Sequence, residues 1–146
     1  MFSNPYEGQL EQQVLSAEPV ELVAIVYDHL IAAIEEARRH LRSGDRVART
    51  RCITRAFGLI GELAYSLDPQ QGGEVALNLR RLYGFVGNRL VQAQSYQLEQ
   101  PLIEARQTLE PLRDAWKAVG RTGVTDGANL LPVSGSGEGA RLALHA

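Results

Sequence analysis

Cysteine is almost missing from this chain: Cys52 stands alone among 146 residues, which excludes an internal disulfide framework and points to a reducing, cytoplasmic setting. A dominant charge sign is missing too. The formal net charge of -2 gives no global attraction to nucleic acid or to an anionic membrane, so any charged partner is met locally. No apolar run approaches the roughly 20 residues that cross a bilayer, and the first residues lack the basic, apolar, small-residue order of a secretion signal. Period-two alternation is absent from the central part of the chain, which argues against a sheet.

What the sequence does contain is helical periodicity. At 146 residues and 45% hydrophobic, it has material for one core and too little to expect two. Leu22, Val23, Val26, Leu30, Ile34 and Leu41 recur at helical spacing from Pro19 to about Ser43, with Gly44 as the stop. A second pattern, capped by Asp45, carries Ile53, Phe57, Ile60, Ala64 and Leu67, with Ala56 and Leu63 flanking. Asp68-Pro69 is read as its end. The Gly72-Gly73 pair supplies a tight reversal and Glu74 a first-turn negative charge for a third helix, whose stripe is Val75, Leu79, Leu82, Val86, Leu90 and Ala93. The fourth steps by fours and threes through Leu98, Leu102, Ala105, Leu109, Leu112, Trp116 and Val119, with a kink expected near Gln107 because Pro111 removes a donor. Short connections make these antiparallel neighbours, so the expected fold is an all-α, up-and-down four-helix bundle over residues 19–120. An N-terminal arm, 1–18, precedes it. A Gly- and Ser-rich tail, 121–146, follows and is expected to be disordered.

Several residues are left over once each helix has used one stripe for the core. Ile25 shares a face with Glu21 and His29; Phe85 lies in a column with Asn78, Arg89 and Tyr96; Leu77 and Val91 face another way. Gly58 and Gly61, each costing about 1 kcal/mol relative to Ala inside a helix, share a side with Tyr65, where a foreign backbone could come close. In the arm, Tyr6, Leu10 and Val14 recur at one-turn spacing and could cover an apolar groove until displaced. Seven arginines from Arg38 to Arg55 surround the first turn. No aromatic platform is interleaved with them, and Glu35, Glu36 and Asp45 stand nearby, so a solvated face is the simpler reading than an RNA site.

In Asn4-Pro5-Tyr6, Ser16-Ala17-Glu18-Pro19-Val20-Glu21-Leu22 leading to Val26-Tyr27-Asp28, Gly44-Asp45, Glu62-Leu63 with Ser66-Leu67-Asp68, Gly72-Gly73-Glu74-Val75-Ala76-Leu77-Asn78-Leu79 with Leu82-Tyr83, and Pro111-Leu112-Arg113-Asp114-Ala115-Trp116, the chain resembles the flagellin-specific export chaperones, the FliS family. The resemblance covers Asn4 to about Val119, with order and spacing in register. It implies a bundle that captures the C-terminal segment of flagellin in the cytoplasm, keeps it from polymerising early and delivers it to the flagellar type III export gate, by helix-in-groove binding coupled to folding. Tyr6, Leu10, Ile25, Gly58, Gly61, Tyr65, Leu77, Asn78, Phe85 and Val91 are then the expected partner-binding residues. Two departures stand out. Gln9 replaces the family's second arm aromatic, which bears on docking to the export gate, and Glu18 replaces a small hydroxyl residue before the proline.

Catalytic chemistry is not legible. None of His29, His40 and His145 follows a Glu at the Glu-x-x-His spacing of a di-metal bundle, and no phosphate loop is present. Cys52 lacks a positioned His and Trp116 sits at a seam position, so both read as packing. The expectation is a non-enzyme with no cofactor or metal, no nucleic-acid ligand and no membrane insertion. Two other readings stay open: a helical adaptor for a different partner and, third, an RNA-binding bundle.

Overall fold

Gly44, at a φ of +80°, closes the first helix in a Schellman arrangement: its amide donates to Leu41 O and the Asp45 amide to His40 O, at 3.3 and 3.0 Å. One residue on, the Asp45 carboxylate accepts from the Ala48 amide at 3.1 Å and starts the second helix. In the computed structural model, which describes residues 19–122, this reversal joins α1 (Pro19–Ser43) to α2 (Arg46–Tyr65); α3 (Pro69–Tyr96) and α4 (Gln100–Thr122) complete the chain. No strand occurs among the described residues. Each helix packs on its chain neighbours and α4 closes the ring on α1, giving the antiparallel four-helix bundle expected from the periodicity. The arm with Tyr6 and Leu10, and the tail from residue 123, lie outside the described residues.

The core runs along the axis. α1 supplies its largest share, with Leu22, Val26, Tyr27, Leu30, Ile34 and Ala37 wholly buried, facing Ile53, Ala56, Ile60 and Leu63 of α2 and Leu102, Ala105, Leu109 and Trp116 of α4. Full burial of a side chain such as Leu30 contributes about 1.5–3 kcal/mol. The α1–α4 seam is also tied by charge: Asp28 meets Lys117 at 3.1 Å and Arg113 at 3.7 Å, and Glu35 meets Arg106 at 3.4 Å. Glu99, just before α4, takes the guanidinium groups of Arg38 and Arg42 from the end of α1.

Four expectations about the stripes are corrected. Phe57 is 48% exposed: the buried line of α2 is Ile53, Ala56, Leu59, Ile60 and Leu63, and Phe57 sits one 100° step round from it, toward α3. On α3, Val75 and Leu82 are exposed, and their neighbours Ala76 and Tyr83 are buried in their place. Tyr83 displaces the more apolar Leu82 because its hydroxyl finds a buried partner, the Tyr27 hydroxyl, at 2.6 Å, and so enters the core without an unsatisfied polar atom. Leu98 is exposed and lies outside α4, since Gln97, left-handed at φ 55°, ends α3 and the α4 ladder begins at the Glu99 carbonyl. Asp68-Pro69 does more than stop α2. Asp68 accepts from the Gln70 and Gln71 amides at 3.0 and 3.4 Å, and with Pro69 at N1 it opens a helical turn that breaks only at Gly73, whose φ of 57° and ψ of -134° form the kink before Glu74. α4 continues through Pro111 to Thr122; Pro111 and Gln107 are both exposed, so the carbonyl that loses its donor can turn to water.

Candidate functional site

Where α2 and α3 run side by side, the positions next to the core stripe would ordinarily carry side chains large enough to seal the seam. Here they are Gly61 and Ala64 on α2 and Gly84 and Gly87 on α3. A Cβ added at Gly61 or Gly84 would meet nothing within 4 Å, and one at Gly87 would touch only the Phe57 ring, at 3.7 Å. The result is a trough of about 360 Å³ along the seam. Ile60 and the ring of Tyr83 form its floor; Phe57 and Val91, each 48% exposed, wall one end; Arg80 and Asn88 are its polar residues. From Arg80 to Val91 the groove follows α3 for about 16 Å, which accommodates about three turns of a foreign helix. Leu77, 43% exposed, lies a heptad from Gly84 and extends the apolar line past the Arg80 end.

Beneath the trough, burial pushes the Tyr27 phenol up to about 12 and the Tyr83 phenol well above its ordinary value, the latter reinforced by Tyr27 itself. Trp116 is a further hydrogen-bond partner of Tyr27. These phenols stay neutral near pH 7 and hold the floor in place; they do not move protons. Burial and the Glu36 carboxylate, 3.7 Å away, push the Cys52 thiol up to about 11 against the weaker pull of Arg51 and Arg39, so it is a poor nucleophile. Among the described residues no group of three His, Cys, Asp or Glu side chains could hold a metal, and no helix is long and apolar enough to cross a membrane.

The residues singled out from the sequence fall in different places. Gly61 and Val91 line the trough, and Leu77 continues its line. Gly58 and Tyr65 are exposed on α2 but are not among its lining residues. Phe85 and Asn78 lie on the α4 side of α3: the Arg89 guanidinium lies 5.2 Å from the Phe85 ring centre and reaches Glu104 of α4 at 3.2 Å, while Asn78 accepts from Arg81 at 2.8 Å. Ile25 belongs to a second, more polar depression of about 310 Å³ at the α1–α4 end, with Glu21, Asp28, Trp116 and Lys117. Sequence reasoning missed Gly84, Gly87 and Arg80, and spent Phe57 on the core. The signal was available: two glycines three residues apart on one helix, facing a third across an antiparallel seam.

The arginine run is largely occupied within the fold. Arg38, Arg39 and Arg42 pair with Glu35, Glu36 and Glu99, and Arg49, 5% exposed, donates to Gln94, which in turn donates to Thr50.

The described residues thus form a helical bundle with an open, glycine-lined apolar trough along its α2–α3 seam. Comparison with known proteins makes the class specific. Residues 2–123 match the family described as "Flagellar protein FliS", and the chain belongs to that family, which consists of chaperones and not enzymes. It is 34% identical over 111 residues to the flagellar secretion chaperone FliS of Salmonella typhimurium, covering 75% of this chain and 82% of that one. It is 30% identical over 110 residues to the flagellar secretion chaperone FliSB of Pseudomonas aeruginosa, covering 75% and 87%. With the Bacillus subtilis protein FliS, also named a flagellar secretion chaperone, the identity is 27% over 116 residues, covering 80% and 86%.

Proposed function

We propose that this protein is a cytosolic export chaperone that binds the disordered C-terminal segment of flagellin, prevents its premature polymerisation and delivers it to the flagellar type III secretion apparatus, where an export-gate component is a second partner. The observation that carries the reading is the trough between α2 and α3, an apolar channel left open in a chain whose relatives are named secretion chaperones. A segment that is unfolded when free satisfies its own backbone by becoming helical, and buries its apolar stripe by lying in such a channel. Polymerisation of flagellin would be blocked for as long as that stripe is covered.

Titration of the purified chain with a synthetic peptide of the cognate flagellin C-terminal segment tests this. The expected result is a gain of helical circular dichroism beyond the sum of the components, saturating at a fixed stoichiometry. Absence of binding overturns the reading. Equal binding of unrelated amphipathic peptides would instead favour a helical adaptor, and tighter binding of RNA, falling steeply with salt, would favour the basic-patch alternative.

A further inference from the structure

The trough is apolar along its length and charged at one point. Arg80 lines it at the end where α3 faces Ala64, one turn before Gly84; among the described residues no carboxylate lines it. Arg80 is exposed, and among the described residues it pairs with no acidic side chain, in contrast to Arg38, Arg42, Arg89, Arg106 and Arg113, each of which has a carboxylate partner. Arg80 places a guanidinium at one end of an otherwise apolar channel. It makes the channel asymmetric. Glycine walls give an occupant helix little to distinguish one register from the next, because sliding by one turn exchanges one apolar contact for another. A fixed positive charge breaks that degeneracy.

We infer that Arg80 sets the register of the bound helix by pairing with a side-chain carboxylate of the occupant: an amphipathic segment of about three turns whose apolar residues recur at i, i+3 or i+4, and i+7, with one Asp or Glu in the turn that lies against Ala64 and Gly84. This rests on the proposed binding of a flagellin segment, and it adds a requirement on that segment's sequence that apolar complementarity alone does not impose. The carboxylate and the guanidinium meet at the rim, where water remains, so the pair contributes more to alignment and to the rate of association than to overall affinity.

The test is a double-mutant cycle between the full chain and the synthetic flagellin C-terminal peptide. Each Asp and Glu of the peptide is replaced in turn by Asn or Gln, and each peptide is titrated against the unmutated protein and against Arg80→Gln, whose folding is checked by thermal melt and is expected to match the parent because Arg80 has no ion-pair partner among the described residues. One replacement is expected to weaken binding to the unmutated protein about two- to fivefold and to have no effect on Arg80→Gln. Arg80→Glu is expected to bind about tenfold more weakly, and a Lys at that same peptide position to restore affinity. The inference is overturned if every replacement acts equally on both proteins, or if Arg80→Gln keeps the affinity and salt dependence of the parent. Failure of the unmutated protein to bind any version of the peptide removes the functional reading and the register device together, whereas binding without coupling removes only the latter.

Discussion

The two long seams on opposite sides of this bundle are built by different rules. Between α1 and α4 the contact is held by charge as well as by packing: α1 buries a continuous apolar stripe, and Asp28, Glu35 and Glu99 bind basic residues across it, with the more polar depression beside Ile25 and Trp116 left at one end. Between α2 and α3, Arg49, Gln94 and Thr50 form a polar tie near one end, and a glycine-walled trough runs along the seam. Both seams join antiparallel helices of similar length. What separates them is side-chain volume and charge beside the core stripe: glycines line the α2–α3 trough, and ion pairs bridge α1 to α4. One seam is tied by ion pairs along its length, and the other leaves an apolar trough.

The sharpest way to break this comparison is to exchange the roles by mutation. Gly84→Trp places an indole in the trough, where an added Cβ has open space, and removes a glycine from a helix interior. It is expected to leave the melting temperature unchanged or slightly raised and to weaken flagellin-peptide binding by a hot-spot amount of about 2–3 kcal/mol, roughly 30- to 150-fold. Leu30→Ala, in the wholly buried α1 stripe, is expected to do the reverse, costing about 2–5 kcal/mol of stability in denaturant titrations. Binding measured where the variant is still folded should change little. If Gly84→Trp melted the protein, or left binding intact, the trough would belong to the fold after all.

Much of this contrast could be read in the sequence, and the part that could not has a physical cause. Helix limits at Pro19, Gly44 and Asp45 were legible because capping chemistry is local: a carboxylate reaching an amide three residues on, a glycine taking φ +80°. The α1 stripe was legible because it is long and one-sided. On α2 and α3 the apolar residues are spread around more of the helix, so choosing the buried line by hydrophobicity put Phe57, Val75 and Leu82 inside. The fold instead buries Ala56, Ala76 and Tyr83, and Tyr83 is admitted by a partner 56 residues away that no local pattern announces. For the same reason the trough was half visible. Gly61 and Val91 stood out as residues without a core role, but the helix face they share is defined only when α3 is placed against α2 and Gly84 and Gly87 come opposite.

A smaller effect sharpens the distinction within α2 itself. Gly58 and Gly61 are both exposed and three residues apart, yet only Gly61 lines the trough. Gly58→Ala, with nothing within 4 Å of the new Cβ, is expected to stabilise the protein by about 0.5–1 kcal/mol through helix propensity and to leave peptide affinity unchanged. Loss of affinity in Gly58→Ala would extend the binding surface round α2 toward Tyr65 and restore the wider glycine strip suggested by the sequence.

The smallest expected effects lie in the pH response of groups away from the trough, where two groups act in separate windows with the same sign. His29 on α1 is held below its ordinary value, first by burial and then by the Arg55 charge, with Asp28 opposing. A depressed folded pKa means that the unfolded chain takes up the proton more readily. The stabilising share of His29 is therefore complete above about pH 6.5 and is lost as the pH falls through its lower folded value. Glu99 is held below the usual carboxylate range by the hydrogen bonds from Arg42 and Arg38, so its share is present above the ordinary Glu value and disappears only on further acidification. Melting temperature should thus decline in two steps as pH is lowered from 7, a shallow one on the acid side of neutrality and another below the ordinary Glu range. His29→Gln should flatten the first step alone, and Glu99→Gln the second alone. Neither residue lines the trough, so peptide affinity at pH 7 should be unaffected by both; a change in affinity would mean that α1 and its partners communicate with the groove across the core.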